Sequence, residues 1–250
     1  NSADQLPERS GQALNLLRLD VERFTQLVED LLEISRFDAG AVRLELDGVA
    51  IVALVTSTVA NLTSGSVPVE SDPILDDMVI ACDKRRVARI LANYLDNARK
   101  YADGATGVFV ERHVPDAEEI EAGVPEDELT VRIAVEDRGA GVPESERARI
   151  FDRFNRGDQG GSRGSDVGVG LGLALVAEHA RLQGGHVWVE DRDDGGQGSR
   201  FVVELPLLPV DDVEEDLSAA TPEAASALTL TGEHKAISIG TLDQDTGVTP

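Results

Sequence analysis

Cysteine is almost missing from this chain. Cys82 is the single one in 250 residues, so an intrachain disulfide is impossible and a structural zinc cluster built on thiolates is excluded. Preceded by Val79-Ile80-Ala81, it reads as a small apolar residue in a strand. Positive charge is scarce too: 23 lysines and arginines stand against 47 carboxylates, a net charge of −24. A surface of that sign repels nucleic acid and anionic membranes, so any polyphosphate must be held by local groups. No apolar run approaches the ~20 residues of a membrane span, and no signal peptide is visible. Two phosphate-binding signatures are also absent. The glycines at 168–172 are not followed by Lys-Ser or Lys-Thr, as a P-loop requires, and the polar segment before them is not the strand of a dinucleotide fingerprint.

What is present is organised around residues 164–173, Gly-Ser-Asp-Val-Gly-Val-Gly-Leu-Gly-Leu. Gly168, Gly170 and Gly172 alternate, and an apolar helix pattern follows through Leu175, Val176 and Ala180. Glycine lets backbone N–H groups approach a ligand closely, and a helix starting there aims its positive dipole end at that ligand. The loop is therefore a candidate phosphate cradle, although most such loops are only turns. Hydrophobic residues make up 41% of the chain, enough for the core of one substantial domain.

In chain order, residues 1–9 read as a polar loop. Leu14, Leu17, Val21, Phe24, Val28 and Leu31 then form a heptad seam on a helix from Leu14 to Ser35, stopped near Gly40. The seam must be buried, and a bundle or dimer helix is the favoured use. Val42, Leu44 and Leu46 alternate like a short strand, Val49–Asn61 is an amphipathic helix, and Val67–Val69 and Met78–Ala81 are expected to pair. Asp83 caps a helix over 84–101. Gly107–His113 and Leu129–Glu136 form a hairpin around an acidic surface loop, Val114–Asp127. A turn at Asp137–Pro143 leads to a short helix at Glu144–Ile150, then a glycine-rich stretch at 155–167. After the cradle helix, Gly184-Gly185 precede strands at Val187–Val189 and Arg200–Leu205. From Pro206 onward the chain reads as a disordered acidic tail.

On the helix over 84–101, Asn93, Asn97, Lys100 and Tyr101 share one face, leaving Ile90, Leu91, Leu95 and Ala98 to the core. Amide oxygens suit Mg²⁺, a lysine suits phosphate, and a tyrosine suits a base. The plainer alternative is that the asparagines satisfy nearby backbone. Downstream come Asp137-Arg138-Gly139-Ala140-Gly141, then Phe151-Asp152-Arg153-Phe154, then the glycine cradle.

In that order and spacing the chain resembles the cytoplasmic part of sensor histidine kinases over residues 10–206. Residues 93–101 match the N box, 137–141 the G1 box, 150–154 the F box and 168–172 the G2 box, and 10–40 match the second helix of the dimerisation and phosphotransfer domain. The resemblance implies an α+β fold, the Bergerat-type α/β sandwich with a mixed sheet and three helices on one face, preceded by the long bundle helix. It implies a partial dimerisation helix at 1–40, an ATP-binding domain at 41–207 and a tail at 208–250. It implies ATP and Mg²⁺ as ligands, with Asn97 on the metal and Asn93 and Lys100 near the phosphates as the catalytic set. Tyr101, Asp137, Gly139, Gly141, Phe154, Gly168, Gly170, Leu171, Gly172 and Leu173 are the implied nucleotide-binding positions, with Asp137 reading the adenine amino group. Arg156 or Arg163, on the segment over the nucleotide, would reach the phosphates. The implied partners are a response regulator and a second copy through the N-terminal helix, with no nucleic acid. The implied place is the cytoplasmic face of a bacterial membrane for a full-length protein, and the cytoplasm for this chain.

The phosphoacceptor motif of that family, His-(Glu/Asp)-x-x-x-(Thr)-Pro, is missing. His113, His179, His186 and His234 all stand in other contexts, and the expectation is a fragment that does not phosphorylate itself. Two other readings are an ATPase of the same fold and a non-catalytic ATP-binding scaffold. The first needs a glutamate four residues before Asn97, as general base for water. Asn93 stands there and cannot take a proton at neutral pH.

Overall fold

A long helix, α1 (Gln5–Asp38), opens the structure, a computed structural model that describes residues 5–125, 129–155 and 170–207. It starts inside the expected polar loop. Pro7 falls in its first turn, where a missing N–H costs no helical bond. Gly40, at φ +60°, ends it, and Ala41 N–H returns to the Arg36 carbonyl.

Residues 41–46 correct the first strand expectation. Val42, Leu44 and Leu46 are half-buried and their neighbours exposed, so the alternation is real, but no ladder forms. Side chains at the start of the next long helix hold this backbone instead. Glu45 N–H donates to Asp83 at 3.2 Å, and Arg86 donates to the Arg43 carbonyl at 3.1 Å. Strand β1 (Asp47–Ala50) follows, and α2 (Ile51–Thr63) buries Ile51, Val55 and Val59 before ending at Ser64 in the left-handed region.

The pairing expected between 67–69 and 78–81 is also corrected. β2 (Val69–Ser71) runs parallel to β4 (Ala105–His113), whereas β3 (Val79–Cys82) pairs antiparallel with β1. Between them a 3₁₀ turn, Pro73–Leu75, is capped by Asp72 and buries Leu75, sending the chain off instead of back on itself. Short apolar runs do not encode their partner, and here the turn decides.

The hairpin of β4 with β5 (Thr130–Asp137) forms as expected. The acidic loop between them holds a short helix, α4 (Ala117–Glu121), with a reciprocal cap between Asp116 and Glu119. Of the expected helix at 144–150, α5 keeps Glu144–Arg147. Helices α3 (Lys84–Tyr101) and α6 (Gly172–Leu182) and strands β6 (His186–Glu190) and β7 (Arg200–Pro206) complete the domain. The five-stranded mixed sheet has the order β2-β4-β5-β7-β6. Helices α2, α3 and α6 cover one face, joining Val55, Val59, Ile90, Leu91, Tyr94 and Val176 to Val108, Val110, Val131, Ile133 and Val203 in one core. This is the expected α/β sandwich.

Register explains the opposite face. Glu111, Arg132, Glu204 and His186 form one cross-strand row, Phe109, Ala134, Val202 and Trp188 the next, and Gly107, Glu136, Arg200 and Glu190 a third. Opposite charges alternate over Glu111, Arg132 and Glu204 and over Glu136, Arg200 and Glu190, as favoured directly across strands. Arg200 bonds both Glu136 and Glu111. The tail from 208 lies outside the described residues.

Candidate active site

Helix α3 is anchored at its start and again midway along its apolar face. Buried Asp83 caps it, accepting from Arg85 and Arg86 N–H, while its own N–H donates to Gln183 at 2.9 Å. Tyr94, fully buried, donates its hydroxyl to the Val202 carbonyl at 2.9 Å. With Val87, Ile90, Leu91, Tyr94, Leu95 and Ala98 turned inward, Asn93, Asn97, Lys100 and Tyr101 are left on the outer side.

Each of these four has a distinct state. Asn93 donates its amide to the Arg89 carbonyl at 2.9 Å, which is the plainer role. Its oxygen faces Gly172, where an added Cβ would lie 2.8 Å away, so glycine lets α6 begin against this amide without displacing it. Asn97 is half-buried, and its amide forms no hydrogen bond among the described residues. Lys100 is paired with Asp96 at 2.5 Å and must exchange that partner to meet a phosphate. Burial would raise the Asp96 carboxyl, but bonds from Lys100 and Arg99 hold it below its ordinary value. Tyr101 is 55% exposed.

The end of β5 faces this helix. Asp137 is buried, its N–H donates to the Ser199 carbonyl at 3.0 Å, and its carboxylate accepts from Gly139 N–H at 2.7 Å. Burial pushes its carboxyl above the ordinary value, against the backbone N–H groups of Gly139 and Ser199 and the charge of Arg192. A Cβ on Gly139 would come within 3.0 Å of the Tyr101 carbonyl, so the turn seats directly on the end of α3. Gly141 adopts φ +83° beside Gly198.

The third wall is the start of α6. Phe154, at φ +62° and 60% exposed, donates its N–H to the Gly170 carbonyl at 3.0 Å. Leu171 does not present its side chain to this cleft. Leu171 is 2% exposed in a cluster with Ile34, Phe37 and Leu175, and Leu173 packs on the main core. Only the backbone of Leu171 can meet a ligand, because its side chain is turned to apolar neighbours, whereas Leu173 stays half-buried. Arg156, Arg163 and Gly168 lie outside the described residues.

Two participants were not read from the sequence. Gly198, at φ +138°, has its Cβ position 2.0 Å from the Asp137 carbonyl oxygen, and Ser199 beside it is buried. The Gly-Ser step before Arg200-Phe201 was the available signal, masked by a glycine-rich hairpin. The contact of α1 with this region was also illegible, since periodicity shows an apolar stripe and not what it meets.

One half-buried, unpartnered amide oxygen suits one position on Mg²⁺, an ion that takes few protein ligands and keeps water and substrate oxygens. No cluster of three His, Cys, Asp or Glu that could hold a metal by itself occurs among the described residues.

Residues 82–209 match the family model described as Histidine kinase-, DNA gyrase B-, and HSP90-like ATPase. The chain is 33% identical over 201 residues to Sensor histidine kinase MtrB of Mycobacterium leprae (strain TN), covering 79% of this chain and 33% of that protein. It is 32% identical over 205 residues to Signal transduction histidine-protein kinase AfsQ2 of Streptomyces coelicolor, covering 82% and 34%. Among solved structures, full-length ShkA in complex with AMPPNP superposes with a TM-score of 0.57 at 28% identity, covering 80% of this chain and 39% of that one. The chain thus spans about a third of the length of the curated relatives it matches.

Proposed function

The chain belongs to the histidine kinase-, DNA gyrase B- and HSP90-like ATPase family, and from that premise we propose that it binds Mg·ATP as the catalytic part of a sensor histidine kinase. Its γ-phosphoryl group goes to a histidine in a helix of another segment and then to an aspartate of a response regulator. The observation that carries this is the convergence on one cleft of the α3 amides, buried Asp137 at the end of β5, and a helix that begins at Gly172 against Asn93. A hydrolase reading is disfavoured because Asn93 stands where a water-activating base is needed.

In this assignment Asn97 holds Mg²⁺, which when bound neutralises phosphate charge. Asn93 and Lys100 face the phosphates, and Asp137, with Gly139 and Gly141, seats the adenine. The work of these residues is positioning and charge compensation. The AMPPNP held by ShkA, a structural relative, agrees with a triphosphate ligand here. Homodimerisation through α1, and a place on the cytoplasmic face of a bacterial membrane for the whole protein, belong to the same proposal. No helix among the described residues is long and apolar enough to cross a membrane.

Calorimetric titration tests it. Mg·ATP should bind the unaltered chain, and Asn97→Ala should abolish the metal-dependent part of the affinity. Equal Mg²⁺ dependence in the variant removes Asn97 from the metal. With radiolabelled ATP this chain alone should acquire no acid-labile label, whereas a supplied helix bearing His-Glu-x-x-x-Thr-Pro should be labelled.

A further inference from the structure

We propose that Arg192 is a positioning residue for the base-binding end of the nucleotide site. It acts from the sheet face opposite the helices, and it sets how tightly and how selectively Asp137 seats adenine. The inference rests on the nucleotide-binding reading above.

Arg192 stands in Asp191-Arg192-Asp193-Asp194, on the loop that leads from β6 to β7. Such a run reads as a solvated hairpin, and its three aspartates are exposed. Arg192 is 8% exposed. A guanidinium is not buried without partners, and each of its nitrogens has one. Nε donates to Glu136 at 3.2 Å, Nη1 to the Gln197 carbonyl at 3.4 Å and Nη2 to Asp194 at 2.7 Å. Glu136 and Gln197 are the residues immediately before Asp137 and Gly198. The ladder of β5 with β7 has its last partners at Glu136 and Arg200. Beyond it the Asp137 N–H still bonds the Ser199 carbonyl, and Arg192 brackets the two chains there.

What the bracket holds is the seat of the base. The Cβ position of Gly198 lies 2.0 Å from the Asp137 carbonyl oxygen and 2.8 Å from Arg192 Cδ, so the chain is pressed between them. The Gly198 carbonyl oxygen lies 3.1 Å from the Cβ position of Gly141. Asp137 and Gly141 are thus both set against one residue, and Arg192 fixes that residue from behind. Arg192 does not itself meet a ligand in the cleft, because Glu136 and Asp137 are neighbours on a strand and point to opposite faces. Its charge works in the same direction as its bonds. Burial, the largest influence, and the Glu136 charge push the Asp137 carboxyl up, while the Gly139 and Ser199 N–H groups and Arg192 oppose them. An ionised Asp137 is the form that accepts from the adenine amino group. Glu136 also accepts from Arg200 at 3.1 Å, so loss of Arg192 does not leave it a buried, unpaired charge.

The experiment measures Mg·ATP and Mg·GTP affinities, by competition calorimetry, for the unaltered chain, Arg192→Met, Arg192→Lys and Arg132→Met. Arg192→Met keeps methylenes against Gly198 and removes the bracket. Mg·ATP should then bind about tenfold more weakly, the scale of one hydrogen bond to a charged group, with Mg·GTP within about twofold of its former affinity. The preference for ATP falls accordingly. Arg192→Lys keeps the charge but cannot span the same partners, and should lose about threefold for Mg·ATP. Arg132→Met removes an ion pair with Glu204 on the same sheet face, two rows from Glu136, and should lower the nucleotide-free melting temperature without moving either affinity. If Arg192→Met does not fold, Arg192→Lys decides. Unchanged affinities in the folded Arg192 variants, or equal losses for the two nucleotides as in a general loosening, would overturn the proposal while leaving the nucleotide site standing. An unaltered chain that binds both nucleotides equally would remove base reading by Asp137 and the proposal with it. Failure of the unaltered chain to bind Mg·ATP would instead overturn the reading beneath it.

Discussion

At the scale of single residues, the resemblance makes Asp137 a base-reading carboxylate, and its bond from Gly139 makes it a turn cap as well. The structure accommodates both. The Gly139 N–H takes one oxygen at 2.7 Å, and a carboxylate has about four lone-pair sites, so the cap does not exhaust it. An ionised carboxylate only accepts, which suits the adenine amino group and opposes the guanine carbonyl. A hydrogen bond to a charged group is worth about 1.5–3 kcal/mol, so ATP should be preferred over GTP by at least about tenfold. Asp137→Asn keeps an oxygen for Gly139 and should collapse this ratio with little change in nucleotide-free melting temperature. A ratio that survives, with lowered melting, leaves Asp137 as a cap alone. The raised carboxyl makes the preference fall at acid pH, because a protonated Asp137 can donate to the guanine oxygen. Asn93, Asn97 and Lys100 were legible as a shared helix face from spacing alone. That Lys100 is held by Asp96 was not, because one more residue of the same turn competes for it.

At the scale of elements, α6 carries a buried histidine that stands outside any phosphoacceptor motif. His179 is 1% exposed, edge-on to Phe37 at 5.3 Å, with Arg86 Nη1 3.2 Å from Nδ1. A guanidinium can only donate, so Nδ1 accepts and the proton of the neutral ring sits on Nε2, 3.4 Å from Glu33. Burial, with Arg86 and Arg89 nearby and against the opposing charge of Asp83, lowers its pKa to about 4. The ordinary value is about 6.5. Between these two values the unfolded chain binds the proton and the folded one does not. The contribution of neutral His179 is therefore complete above pH ~6.5 and is lost as pH falls toward 4. At pH 5.5, one unit below the ordinary value, the loss is about 1.4 kcal/mol. Glu33 is raised by burial and acts in the opposite sense, so the difference between the parent and His179→Phe isolates the histidine. Urea unfolding at pH 7.5 and 5.5 should show the parent losing that amount more than the variant. Parallel losses would mean that His179 already titrates normally.

At the scale of the molecule, much of the heptad seam of α1 is left uncovered by the described residues. Leu14, Leu17, Val21 and Phe24 are exposed, Phe24 at 66%, whereas Ile34 and Phe37 further along are buried on α6. One helix therefore serves two surfaces, the seam outward and its last turns on the domain. Full burial of such side chains is worth roughly 1.5–3 kcal/mol each, so the chain should self-associate. Light scattering should show a concentration-dependent dimer, and Leu17→Glu with Phe24→Glu should return a monomer with an unchanged domain melt. A monomer at every concentration for the parent would remove α1 as an association surface.

The order of elements, the capped α3 with its polar face, the hairpin of β4 with β5 and the glycine breaks were all set by local physics: periodicity, caps and turns act over a few residues, and sequence spacing records them. Partners were not. The pairing of β2 with β4 and of β3 with β1, and the burial of Leu171 under α1, depend on residues far apart in the chain. So does the claim of Asp83 on Glu45, which turns an alternating segment from strand into tether. An apolar residue states that it will be buried and is silent about what buries it; only the closing of the tertiary structure decides that.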